Sequence, residues 1–148
     1  MILEFSDWLF LVDVGENQTY SNQEAQEHCT CAFCRNFYRT VDLAYPDLRY
    51  FLRKFGVNIE APDSLLPVTT ELYQAVYPVT GKILRSGSQP IFVSDLPITV
   101  EQENGGEEDI FLLNTGLMNL PWVLEEEPVS DADVTSLDDL FASFKQVK

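Results

Sequence analysis

The sequence predicts a single α+β domain over residues 1–124, in which a kinked helix over about 31–55 covers one face of an antiparallel sheet of four to six strands. Several segments alternate apolar and polar residues, which is typical of half-buried strands. Between them, residues 31–55 carry apolar side chains at the spacing of a helix. The 148 residues, 45% of them hydrophobic, are enough for one domain with its own core.

The kinked helix is predicted from two apolar stripes that a proline separates. Each stripe repeats at i, i+3, i+4 and i+7, so its members share one helix face. The first stripe contains Cys34, Phe37, Tyr38, Val41 and Tyr45, and the second contains Leu48, Phe51, Leu52 and Phe55. Thr30 is the expected N-cap. Pro46 should break the helix because it lacks an N–H, and Gly56 should end it in a left-handed conformation.

The strands are predicted from alternation and from turn residues. They are residues 2–14, as two strands that meet at Ser6-Asp7, and then Tyr73–Leu84, Ile91–Val100 and Ile110–Leu117. Pro78 should confine its strand to a sheet edge or a bulge, because it cannot donate a ladder hydrogen bond. Residues 16–27 are predicted as a turn and a polar segment, and residues 57–70 as a loop or a short turn of helix.

The C-terminal part divides into two segments by composition. Residues 125–134 are acidic and contain a proline, which predicts a linker. Residues 135–148 predict a short amphipathic helix, and a lone helix of this length is marginal in water. Its apolar face should therefore dock on the domain's own surface or on a protein partner. The candidate partner-binding residues are Leu137, Leu140, Phe141 and Phe144.

Composition and charge exclude several classes of protein. A net charge of −15 argues against nucleic-acid binding. No apolar stretch reaches the ~18 residues of a membrane span, and no basic region precedes the apolar residues at the N-terminus, so neither a membrane nor a secreted protein is expected. The odd number of cysteines argues against a disulfide framework and predicts the reducing cytoplasm. A protein partner fits this surface, and the sequence leaves the oligomeric state open.

One cluster carries the side chains that could do chemistry. All three cysteines and the only histidine fall within seven residues, as His28, Cys29, Cys31 and Cys34. Thiolate and imidazole are ligands that zinc prefers, so these four residues are a candidate zinc site. The set is incomplete for a structural zinc site, because only Cys31 and Cys34 have the C-x-x-C spacing and no second pair follows in the sequence. A carboxylate from residue 24 or 27 could complete it.

Two other interpretations of the cysteines stay open. Cys31 and Cys34 at a helix N-terminus could form a redox pair, since the helix end stabilises a thiolate. A thioredoxin-type motif, however, should follow a strand of a βαβ unit, and a polar segment precedes this one. The third interpretation is three reduced thiols that pack as small hydrophobic side chains.

Three motifs give the chain a resemblance to known proteins. They are His28–Phe37, read as H-C-T-C-A-F-C-R-N-F, then Phe55–Ile59 as F-G-V-N-I with Pro62-Asp63, and Leu120–Leu124 as L-P-W-V-L. Together they resemble a group of small bacterial cytosolic proteins with a C-x-C-x-x-C-R-N-F helix start, an F-G-[IV] turn and an L-P-W ending. The resemblance covers most of residues 1–124 and implies a bacterial cytoplasmic setting. It implies no activity, because the group has no established one.

The leading function predicted from the sequence is a non-catalytic binding protein, an adaptor or an immunity-like partner. The alternative is a small zinc-binding or thiol-redox protein centred on the cysteines. No catalytic residues are predicted, because one histidine without a G-x-S-x-G motif supports no serine triad. The glycine patterns of P-loop and dinucleotide-binding proteins are also missing from the sequence, so no cofactor other than zinc is expected.

Overall fold

The structure, a computed structural model, describes residues 1–26, 29–102 and 109–125, without the side chains of 24–26. Its helices are α1 (Val14–Gln26), α2 (Ala32–Ala44) and α3 (Pro46–Lys54). Its strands are β1 (Ile2–Phe5), β2 (Trp8–Val12), β3 (Ser64–Pro67), β4 (Leu72–Arg85), β5 (Ile91–Val93), β6 (Leu96–Gln102), β7 (Ile110–Thr115) and β8 (Met118–Asn119). Among these described elements, no helix is long and apolar enough to cross a membrane.

The described strands form one antiparallel sheet in the order β1-β2-β4-β7-β6-β5, with β3 and β8 also paired to β4. The mixed α+β class is confirmed, but the described part of the chain contains eight strands and not four to six. The predicted number was too low for two reasons. Residues 91–100 fold into the β5–β6 hairpin at Ser94, whose φ is 55°. In addition, β3 and β8 are too short to show alternation in the sequence.

Helices α2 and α3 pack on one face of this sheet, where aromatic rings from both layers meet. Phe55 follows α3, and its ring centroid lies 5.5 Å from that of Phe10 on β2 and 6.2 Å from that of Phe111 on β7. The predicted core residues Phe37, Val41, Phe51 and Phe55 are all buried. The helix phase predicted from the two apolar stripes is therefore correct.

The predicted kink and the predicted helix end are both confirmed. Tyr45 has a non-helical backbone (φ −131°, ψ 64°) between α2 and α3, and Pro46 is the first residue of α3. Gly56 has a φ of 84°, which disfavours any residue with a Cβ. A Cβ at this position would also collide with the carbonyl oxygen of Val14.

Helix α1 occupies most of the stretch predicted as a turn and a polar segment, so that prediction was wrong. The Asp13 carboxylate accepts a hydrogen bond of 3.1 Å from the N–H of Glu16, which is the contact of an N-cap. Among residues 14–23, the part of α1 whose side chains are described, the buried ones are Asn17 and Ser21, and both are polar. This part of α1 thus has no apolar stripe by which the sequence could reveal it.

Pro78 predicted a sheet edge or a bulge for its strand, and the structure corrects both. Strand β4 lies inside the sheet, between β2 and β7, and its register with β7 is continuous through Pro78. Strands β2 and β3 pair with opposite ends of the same edge of β4 and leave residues 77–80 between them without a strand partner there. Backbone N–H groups alternate between the two edges of a strand. Pro78 therefore shares the open edge with Thr80, and its missing N–H costs no ladder hydrogen bond.

The buried side chain of Asn17 fills this gap in place of a strand. Its Oδ1 accepts from the Thr80 N–H at 2.7 Å, and its Nδ2 donates to the Thr80 carbonyl at 3.3 Å. The same Nδ2 also donates to the Phe55 carbonyl at 2.9 Å. One side chain thereby joins α1 to the sheet and to the end of α3.

Strand β3 lies within the stretch predicted as a loop or a short turn of helix, so that prediction also needs correction. The Asp63 N–H donates to the Val76 carbonyl at 2.8 Å and aligns the following residues with β4. Pro67 is the last residue of this short strand, a place where a missing N–H is tolerated.

Candidate metal centre

The three cysteines lie around the first turn of α2. Cys31 is the N-cap residue, with an extended backbone (φ −66°, ψ 164°), and so takes the place predicted for Thr30. Its side chain makes no capping hydrogen bond to the described first turn. Cys34 lies within that turn, and Cys29 precedes it, with its Sγ accepting a hydrogen bond of 3.4 Å from the Cys31 N–H. The C-x-x-C spacing thus places the thiols of Cys31 and Cys34 on one side of the turn.

The sulfur atoms of Cys29, Cys31 and Cys34 all lie within 4.8 Å of one another. Tetrahedral coordination at a Zn–S distance of about 2.3 Å places pairs of sulfurs roughly 3.8 Å apart. Rotation of the side chains by a small amount would therefore bring all three atoms onto one ion. The donor set is soft, which suits zinc and other thiophilic metals.

The three thiols differ in their exposure to solvent. Cys29 is exposed, whereas Cys31 and Cys34 are half-buried. Burial raises the pKa of the Cys34 thiol, and hydrogen bonds with Cys31 and Cys29 raise it further. Cys34 is thus a neutral thiol until a cation approaches, because a bound metal ion reverses this preference and deprotonates a coordinating thiol.

Tyr38 lies one helical turn after Cys34 and contacts the cluster. Its hydroxyl donates to the Cys29 carbonyl at 3.1 Å, and the side chain lies close enough to the Cys34 thiol to interact with it. Burial and the neighbouring Cys34 raise the pKa of Tyr38, so its hydroxyl remains a donor at neutral pH. The sequence pattern places Tyr38 on the apolar stripe, and its i+4 spacing from Cys34 is the signal that could have assigned it to the site.

Arg35 fixes the backbone that precedes the helix. Its Nε donates to the Thr30 carbonyl at 2.8 Å, and its backbone N–H donates to the Cys31 carbonyl at 2.9 Å. Together with Tyr38, it holds the segment from Cys29 to Cys31 against the first turn of α2. The cluster is therefore supported by contacts to groups outside the thiols, as metal ligands commonly are.

The surroundings of the cysteines fit a thioredoxin-type redox motif poorly. The element that precedes them in the chain is helix α1, and the described strands all pair in antiparallel fashion, which leaves no βαβ unit among them.

Several predicted site residues lie outside the described part of the chain. His28 belongs to residues 27–28, and the side chain of Glu24 is also outside the described set. The same holds for the candidate partner-binding residues Leu137, Leu140, Phe141 and Phe144. Of the four predicted metal ligands, the structure thus brings together Cys29, Cys31 and Cys34.

Comparisons with protein-family models, with curated proteins and with solved structures find no match to this chain.

Proposed function

We propose that this chain is a metal-binding protein in which Cys29, Cys31 and Cys34 together hold one thiophilic ion, zinc in the first place. The observation that carries the proposal is the distance among the three sulfur atoms, all within 4.8 Å of one another. These sulfurs come from an extended segment and from a helical turn that only folding brings together. Their convergence supplies three of the four ligands that a structural zinc site uses.

Bound zinc would act here as a structural ion. It would join the segment at Cys29 to the first turn of α2 and keep the three sulfurs as thiolates. Negative charge at a helix N-terminus is favourable, and α2 has no capping contact from the Cys31 side chain in its described first turn. The site would belong in the cytoplasm that the odd cysteine count predicts, because thiols must stay reduced to bind zinc.

The protein-binding function that the sequence favoured remains a second prediction. It depends on the apolar face of residues 135–148, which lie outside the described residues. The bacterial setting implied by the resemblance also remains a prediction. Neither is an alternative to metal binding, because the thiol cluster and the C-terminal segment are different parts of the chain.

The metal content of the purified chain tests the proposal. Protein prepared under reducing conditions without chelator, incubated with Zn²⁺ and desalted, is expected to retain one equivalent of zinc. Cys29→Ser, Cys31→Ser and Cys34→Ser should each lower this content, because a hydroxyl is a far weaker zinc ligand than a thiolate. Thr30→Ser changes a residue between the thiols and removes none of them, so it should retain the metal. Equal zinc content in all four variants would contradict the assignment of the ligands.

Tyr38→Phe should weaken zinc binding although it removes no ligand. The change deletes the hydroxyl that donates to the Cys29 carbonyl and interacts with the Cys34 thiol. Loss of such an outer contact typically lowers metal affinity by about 10–100-fold. Competition against a chromophoric chelator measures the affinity, and Tyr50→Phe, on the exposed side of α3, is the matched control. Identical affinities for the two variants would show that Tyr38 does not orient the ligands.

A further inference from the structure

The first two turns of α2 contact the C-terminal end of the domain as well as the thiols. Phe33, between Cys31 and Cys34, packs edge-to-face against Trp122, with ring centroids 5.6 Å apart. Phe33 is buried and Trp122 is half-buried. The helical turn that carries the candidate metal ligands thus also packs against Trp122, near the end of the described residues.

Asn36, two residues after Cys34, makes the polar part of this contact. Its Nδ2 donates to the Pro121 carbonyl at 3.1 Å, and its Oδ1 accepts from the Val123 N–H at 2.9 Å. Nδ2 also donates to the Tyr73 hydroxyl at 3.1 Å. Asn36 is fully buried, so these partners cannot be exchanged for water without opening the contact.

We propose that zinc occupancy of the thiol cluster is coupled to the docking of residues 120–123 on α2, so that each of the two events favours the other. This inference rests on the metal-binding function proposed above. The element shared by the two sites is the N-terminal turn of α2. The Cys29 thiol reaches this turn from the segment that precedes α2, and Trp122 and Val123 reach it from the C-terminal side of β8.

For the shared turn to respond to both sites, it must exchange between a formed and a frayed arrangement. A helix end frays unless its unpaired N–H groups find partners, and the Cys31 side chain does not cap the described turn. Zinc-bound thiolates would favour the formed turn through charge and through the link to Cys29. When this turn is formed, it presents Phe33 and Asn36 to residues 121–123, and when it frays, it does not.

Tryptophan fluorescence tests the coupling directly, because the two tryptophans lie in different places. Trp122 reports the docked segment, while Trp8 lies on β2, where its Nε1 donates to the Gln89 carbonyl. In Trp8→Phe, added Zn²⁺ should reduce the quenching of Trp122 by acrylamide. In Trp122→Phe, the same addition should leave the quenching of Trp8 unchanged. If Trp8→Phe does not fold, the difference between wild type and Trp122→Phe gives the Trp122 signal.

Reciprocity provides a second test, since the docked segment must strengthen zinc binding by the factor by which zinc strengthens docking. Trp122→Ala removes the ring from Phe33 without touching a thiol and should weaken zinc affinity by about 5–150-fold. Val123→Ala keeps the backbone N–H that binds Asn36 and should leave the affinity unchanged. Ile98→Ala, a core change on β6, controls for a general loss of stability.

The outcomes separate the coupling from the proposed function. Zinc that binds stoichiometrically while Trp122 quenching and the affinity of Trp122→Ala stay unchanged would overturn the coupling and leave the metal site standing. A loss of affinity as large in Ile98→Ala as in Trp122→Ala would overturn it as well. Failure of the wild-type chain to bind Zn²⁺ in the chelator competition would overturn the metal-binding function itself, and the coupling with it.

Discussion

Phe55→Ala is expected to destabilise the domain by about 3–5 kcal/mol, the range for a large aromatic side chain removed from a core. Phe55 is fully buried, and its ring meets four others, from Phe5, Phe10, Phe51 and Phe111. These rings belong to the helix layer and to three different strands. Neighbours held by separate elements cannot collapse together into the space, so the cavity should persist and the cost should lie near the upper end.

Chemical denaturation of the full chain measures this effect. A loss of this size corresponds to a fall in Tm of roughly 10 °C for a chain of this length. Phe92→Ala is the control, because Phe92 is 59% exposed on β5 and its removal should change stability by less than about 0.5 kcal/mol. Equal losses for the two variants would contradict the arrangement of the core.

Asn17→Leu should produce the second large loss, about 3 kcal/mol, since each buried polar group left unpaired costs about 1–3 kcal/mol. Leucine has the same number of side-chain heavy atoms and the same branching as asparagine. It cannot, however, bond the backbone N–H and carbonyl of Thr80 or the carbonyl of Phe55. Asn22→Leu on the exposed side of α1 is the matched control and should be almost neutral. A neutral result for Asn17→Leu would show that the gap in β4 is bridged by other means.

Asn17→Asp adds a pH dependence with a definite sign. The introduced carboxylate can accept from the Thr80 N–H but would face the two carbonyl oxygens that Nδ2 now contacts. Burial and these oxygens should raise its pKa in the folded state. The pKa of this carboxyl in the folded state then exceeds its unfolded value of about 3.9. The Asn17→Asp variant should therefore be most stable below the unfolded pKa, and its stability should fall as pH rises through the folded pKa. Wild type has no carboxyl at this position and should not show this fall.

The helix layer could be predicted from the sequence because its local signals agree with its packing. The apolar stripes through Phe37 and Phe51 have helical periodicity, and Pro46 and Gly56 mark the ends of helices by their own backbone chemistry. Each of these properties belongs to a residue and its near neighbours. None depends on which strand lies opposite.

Helix α1 and the position of β4 could not be predicted in the same way. The buried side chains among residues 14–23 of α1 are those of Asn17 and Ser21, whose polar atoms find backbone partners distant in sequence. Pro78 suggested an edge or a bulge because the sequence does not reveal that two strands share one edge of β4 and leave a gap between them. Asp13 with Glu16 was the one local signal for α1, as a capping pair.

The proximity of the three thiols was predictable from the sequence, but the contacts that support them were not. Three cysteines within six residues around a helix start were sufficient to predict that their thiols approach one another, and Cys29, Cys31 and Cys34 do so. The support from Tyr38 follows from the turn that the backbone makes between Cys29 and Cys31. The contact of Trp122 with the same helical turn spans most of the chain, and no local pattern encodes it.

X-ray absorption at the zinc K-edge of the zinc-loaded, desalted chain tests the metal site most directly. Coordination by Cys29, Cys31 and Cys34 predicts three sulfur scatterers at about 2.3 Å from the ion. The number of sulfurs should fall to two in Cys34→Ser if that variant retains any zinc. A first shell of nitrogen and oxygen alone, or a chain that loses all its zinc on desalting, would contradict a thiolate metal centre.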